Sequence, residues 1–163
     1  MSSYIQERNE LEKFKNSLKG NFQALEKELD RLIDVEDDIG ILVSARRCLE
    51  VIVSDLCEKA LSRARGSEPL KGIIDKLNKD KHIPSFVYTS MINLNSLSTY
   101  GAHPKTYSPR QVKTVLIELL TVVEWYLKFL DHDVKEEQVE EKKKTKAKEK
   151  READKISVLD ELE

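Results

Sequence analysis

Residues 112–130 restrict this chain more than any other stretch, because a helix there would carry apolar side chains around most of its circumference. Gln111, Thr114, Glu118, Thr121 and Lys128 form a narrow polar stripe, while Val112, Val115, Leu116, Leu119, Leu120, Val122, Val123, Trp125, Tyr126, Phe129 and Leu130 fill the remainder. So wide an apolar surface demands cover on several sides, either from the other helices of a bundle or from a second copy of the chain. Glu118, Glu124 and Lys128 interrupt the run, so it reads as a buried helix of a soluble domain before it reads as a membrane span. Its start is well marked: Ser108 and Gln111 have capping-box spacing, and Pro109 occupies the favoured first helical position.

The rest of the chain supplies helices to do the covering. Gly and Pro number only 5 and 4 among 163 residues, and 36% of the chain is charged. That composition favours long helices with charged outer faces over a turn-rich β fold. Leu11, Phe14, Leu18, Phe22, Leu25, Leu29 and Leu32 recur at three- and four-residue steps after a possible capping box at Ser3 and Gln6, which predicts one long N-terminal helix. Gly20 in its middle is a point where that helix can bend or break. The acidic stretch at 34–38 suits the N-terminus of a second helix over residues 39–63, whose core face is Leu42, Ala45, Leu49, Ile52, Val53, Leu56 and Ala60. Gly66 is expected to end it and Ser67 to start a short third helix with Leu70, Ile73, Ile74 and Leu77 inward. Pro84 opens a fourth helix with Phe86, Val87, Met91, Leu94 and Leu97 inward, stopping near Gly101 before Pro104. The fold class expected is all-α: a bundle of four or five helices over residues 1–133, with a long N-terminal helix, followed by a charged C-terminal extension over 134–163. That extension, flexible or a solvated helix, has no repeated apolar stripe, although Ile156, Val158, Leu159 and Leu162 make a small apolar cluster at its end.

Charge and cysteine content narrow the function classes. A net charge of −2 argues against a generally nucleic-acid-binding surface. The Lys-rich run after residue 141 has the charge to meet RNA or an acidic membrane, but no aromatic residue punctuates it and glutamates flank it. Cys48 and Cys57 lack metal-site spacing and, on one helix, stand too far apart to bridge. Three dispersed histidines, His82, His103 and His132, give a zinc site little support, so no metal or cofactor is expected. The start of the chain has no apolar signal region, and a cytoplasmic protein with no membrane contact is expected.

A polar patch at residues 93–104 is the candidate site. On a helix Asn95, Thr99 and His103 follow one another at one-turn intervals, with Ser98 and Tyr100 beside them. Such groups at a helix end either cap and satisfy one another or form a binding site. Arg46 and Glu50 stand one turn apart on the second helix, the spacing of a surface ion pair; turned inward, Glu50 would orient a polar partner such as His103. A nucleotide or other small anion near Arg46 and His103 is a further reading of the same groups.

Three ordered segments resemble a known family. Ser44-Ala45-Arg46-Arg47-Cys48-Leu49-Glu50, then Leu94-Asn95-x-Leu97-Ser98-x-Tyr100-Gly101-Ala102-His103-Pro104, then the closing apolar helix to Trp125-Tyr126-Leu127 are similar to bacterial helical domains of the HEPN superfamily, over about residues 39–130. The resemblance implies that the Arg/Glu helix packs beside the helix ending in histidine. It also implies a domain that often dimerises and often accompanies effector or sensor modules in bacterial stress and defence proteins. HEPN ribonucleases cleave RNA without metal, using an arginine followed after four to six residues by a histidine. His103 matches the histidine, but the three positions open to the arginine hold Ser96, Leu97 and Ser98. Without that guanidinium, a lone histidine lacks the element that stabilises charge developing on the phosphate. The expectation is therefore a non-catalytic interaction or regulatory domain with a protein partner or fused effector module. The alternative is a divergent ribonuclease in which Arg46 stands in for the missing arginine beside His103.

Overall fold

The computed structural model describes residues 4–99 and 108–161, with side chains described for 4–99, 108–131 and 143–146. Six helices and no strand occur among the described residues: α1 (Ile5–Leu18), α2 (Gln23–Asp34), α3 (Asp38–Leu61), α4 (Leu70–Lys79), α5 (Ser85–Ser98) and α6 (Pro109–Glu161). The chain divides into two compact units, Met1–Leu127 and Lys128–Glu163. No helix among the described residues is long and apolar enough to cross a membrane.

The single long N-terminal helix expected from the apolar period is two helices, α1 and α2. Lys19 (φ 51°) and Gly20 (φ 78°) both take the left-handed conformation, which ends α1 and reverses the chain. Glycine enters that conformation without the Cβ clash that other residues meet. The Gly20 amide then donates to the Glu26 carboxylate at 2.8 Å, so a side chain of α2 secures the turn. Folded back, α1 and α2 pack on each other, held by a Lys15 to Asp30 ion pair at 2.5 Å and by Arg8. Arg8 is 9% exposed and donates from Nη1 to the carbonyls of Ile33 (2.6 Å) and Leu32 (3.4 Å). These carbonyls belong to the last turn of α2, where the helix has no amides left to offer them and where a cation meets the negative end of the helix dipole.

α3 lies among its neighbours, packing against α2, α4 and α5. The Asp37 side chain caps its start by accepting from the Gly40 amide at 2.9 Å. Leu42, Ala45, Leu49, Ile52, Val53 and Leu56 are all buried as expected, joined by Ile41, Cys48 and Cys57. The helix ends at Leu61, with Ser62 left-handed at φ 56°, several residues before Gly66. Between Leu61 and Leu70 there is no large apolar residue with which a longer helix could extend the buried face. α4 buries Leu70, Ile73, Ile74 and Leu77 against α3 and α5, and Tyr88 of α5 donates to Asp75 of α4 at 2.8 Å. Along α5 the inward stripe is Val87, Ser90, Met91, Leu94 and Ser98. Phe86, expected inward, is 59% exposed, because Ile83 and Val87 occupy the core positions on either side of it.

In α6 the Ser108 amide donates back to the Gln111 side chain at 3.2 Å, as the capping-box spacing predicts. Val112, Val115, Leu116, Leu119, Val122, Val123 and Tyr126 are buried. Tyr126 donates its hydroxyl to Asp55 of α3, and its ring meets Phe22, from the α1–α2 turn, at 5.8 Å between centroids. Most of the wide apolar surface of residues 112–126 is thus covered by the chain's own bundle. In the second unit the backbone is helical to Glu161, and Lys143, Lys144, Thr145 and Lys146 are exposed.

Candidate functional site

The antiparallel approach of α3 and α5 brings Arg46 to the C-terminal turn of α5. Its Nη1 donates to Asn95 Oδ1 at 2.7 Å, to Thr99 Oγ1 at 3.1 Å and to the Asn95 carbonyl at 3.3 Å. The Thr99 hydroxyl donates in turn to the same Asn95 carbonyl at 2.7 Å. One turn along α3, Glu50 Oε1 stands 3.6 Å from Arg46 Nε. Both side chains remain about a third exposed, at 33% and 38%.

The arrangement has a simple physical cause. The last carbonyls of a helix lack intrahelical donors, and the negative end of the helix dipole lies there. Arg46 supplies both the donors and the positive charge, and Thr99 adds a local hydroxyl that bridges cation and carbonyl. The guanidinium is a clamp on the end of α5, oriented from behind by Glu50. Its Nη2 group has no hydrogen-bond acceptor among the described residues.

Four residues singled out in the sequence, Arg46, Glu50, Asn95 and Thr99, therefore meet. Ser98 is adjacent but 2% exposed, with its hydroxyl donating to the Asn95 carbonyl at 3.4 Å, so it belongs to the core side of α5. Tyr100 and His103 lie outside the described residues. Glu50 carries its charge toward Arg46 and toward a groove of about 790 Å³ on α2 and α3, lined also by Phe22, Glu28, Arg31, Arg47 and Asp55. Most charges of this groove are engaged with one another or with neighbours: Glu28 with Arg31 at 3.3 Å, Asp55 with Lys59 at 3.3 Å and with Tyr126. The α2–α3 groove has no sequence signal beyond the i,i+3 spacing of Glu28 and Arg31, since it needs two helices to be placed side by side.

Cys48 is fully buried, and burial, with the Glu28 carboxylate beside it, pushes its thiol well above the ordinary range. A thiol held neutral in the core is a packing group and not a nucleophile. Among the described residues no group of three or more His, Cys, Asp or Glu side chains is arranged to hold a metal ion. Compared with protein families, with curated proteins and with solved structures, the chain matches none.

Proposed function

We propose that this protein is a non-catalytic, HEPN-like interaction or regulatory domain, working through a protein partner or a fused effector module of a bacterial stress or defence system. The observation that carries the reading is the engagement of Arg46. This is the cation nearest in kind to the arginine that the ribonuclease motif lacks at Ser96, Leu97 and Ser98, and it is spent on Asn95, Thr99 and Glu50. A guanidinium whose Nη1 is committed to carbonyl, amide and hydroxyl acceptors is held at the end of α5 and has only part of its donor set left for charge on a phosphate. The resemblance of residues 39–130 to HEPN domains supplies the family, and the partly exposed charged faces supply surface for a partner.

The experiment is capture of partners from the native cell by the whole chain and by a chain lacking residues 134–163. A stoichiometric partner held by both forms makes the bundle the binding element; one lost with the deletion makes the extension the binding element. Capture of no protein by either form overturns the reading. The second reading, a metal-independent ribonuclease using His103, draws on the Nη2 group of Arg46, which keeps donors in hand, and it is separated from the first by RNA cleavage.

A further inference from the structure

We infer that the groove between α2 and α3 receives an arginine side chain of the protein partner, with the Glu28 carboxylate as its anchor. The inference rests on the interaction-domain reading above and names the contact that would hold the partner. The Glu28 side chain is only 14% exposed, and its Oε2 is closed to solvent without a hydrogen-bond partner among the described residues. A buried acceptor left unpaired is costly, the more so on a charged group, and a donor that reaches it recovers that cost. The other oxygen, Oε1, has a single 3.3 Å contact to Arg31 Nη1, from a side chain that is itself 47% exposed. Arg31 thus holds the carboxylate at one corner only.

The groove suits that guest and selects it. Phe22, Ala24 and Val51 line part of the wall and offer apolar surface to a methylene stem. A guanidinium carries two parallel N–H donors and meets both oxygens of one carboxylate, whereas an ammonium is a point charge, so the unmet oxygen favours arginine over lysine. Most other charged groups of the groove already have partners: Glu50 faces Arg46 at 3.6 Å, Asp55 is held by Lys59 at 3.3 Å and by Tyr126, and Arg65 donates its Nε to the Glu68 carbonyl at 3.0 Å. Arg47 and Glu58 are exposed and of opposite sign, so the rim has no net pull on a cation. Recognition therefore falls to Glu28. The incoming side chain displaces Arg31, whose charge passes into solvent, and replaces one long contact with two short ones.

The test titrates the methylamide of acetyl-arginine into the whole chain, labelled with nitrogen-15, and follows the amide resonances of α2 and α3. Saturable shifts around Glu28 are expected with a millimolar dissociation constant, as suits one charged pair without the rest of an interface. The lysine analogue is expected to bind at least about fivefold more weakly. Glu28→Gln keeps the shape of the side chain and should abolish the shifts, while Glu12→Gln, the same charge change at an exposed position of α1, should leave them in place. Arg31→Met removes the competing cation and should tighten binding about threefold, and Lys13→Met, an exposed cation of α1, should not. The comparison of the two analogues needs no variant and stands whatever the substitutions do to folding. No saturable shift in the wild type, equal binding of the two analogues, or shifts that survive in Glu28→Gln would each overturn the inference. Partner capture separates it from the functional reading. A partner retained in full by Glu28→Gln leaves the interaction domain standing and overturns the arginine contact, whereas a positive titration with no partner captured overturns the functional reading and, with it, the partner as source of the arginine.

Discussion

Replacing Arg46 by Met keeps the apolar stem of the side chain and removes the guanidinium, which isolates the clamp on α5. The loss comprises a 2.7 Å hydrogen bond to Asn95 Oδ1, a 3.1 Å bond to Thr99 and a longer one to the Asn95 carbonyl. Hydrogen bonds to charged groups contribute about 1.5–3 kcal/mol when buried, but a third of this side chain is exposed, so about 1–2 kcal/mol is expected for the whole set. The Glu50 pair, longer and about a third exposed, adds only a few tenths of a kcal/mol. A double-mutant cycle separates the terms. Arg46→Met, Asn95→Ala and the double variant are unfolded in urea and followed by far-ultraviolet circular dichroism, with unchanged m-values required for comparison. A coupling of about 1 kcal/mol between the two positions is expected. Additivity to within about 0.3 kcal/mol would show that the guanidinium is not committed to Asn95, and the assignment of Arg46 as a structural clamp would fail.

Three further perturbations test the bundle. Gly20→Ala decides between one N-terminal helix and two: at φ 78°, with nothing near the added methyl, the turn predicts a loss of about 1 kcal/mol, whereas a continuous helix would gain a similar amount. Arg8→Met strips donors from the Leu32 and Ile33 carbonyls and is expected to cost about 2 kcal/mol in the same denaturation assay, largely independent of salt; no change would refute its capping role. For Cys48 the folded state holds the thiol neutral, so its contribution is present below the unfolded thiol range and is lost as pH rises. Stability should therefore fall above about pH 8.5, by up to about 1.4 kcal/mol per pH unit from this group, and Cys48→Ala should remove that part of the slope.

The sequence made the core of α3 legible because Leu42, Ala45, Leu49, Ile52, Val53 and Leu56 face one side of a straight helix, and period alone identifies that side. Period was misleading at Leu18, Phe22 and Leu25, whose spacing runs unbroken through the turn at Lys19 and Gly20: two helices folded on each other each turn an apolar face inward, so the count of threes and fours does not register the reversal. Phe86 shows the opposite failure, a large apolar residue one step off a stripe already filled by Ile83 and Val87. At the site, the Arg46 and Glu50 pair was readable from its one-turn spacing. Its engagement with Asn95, 49 residues away, depends on how α3 and α5 are set together. Arg8 has no signal in the sequence, because nothing near it announces that the carbonyls it serves lie on the last turn of another helix.

RNA cleavage addresses the central claim most directly. Purified wild-type chain, incubated with a mixed pool of single-stranded and hairpin RNA in the presence of a chelator, is predicted to leave the pool intact, as are His103→Ala and Arg46→Met. Reproducible cleavage by the wild type that disappears in His103→Ala, with the folded state of the variant preserved, would contradict the account and make the chain a ribonuclease.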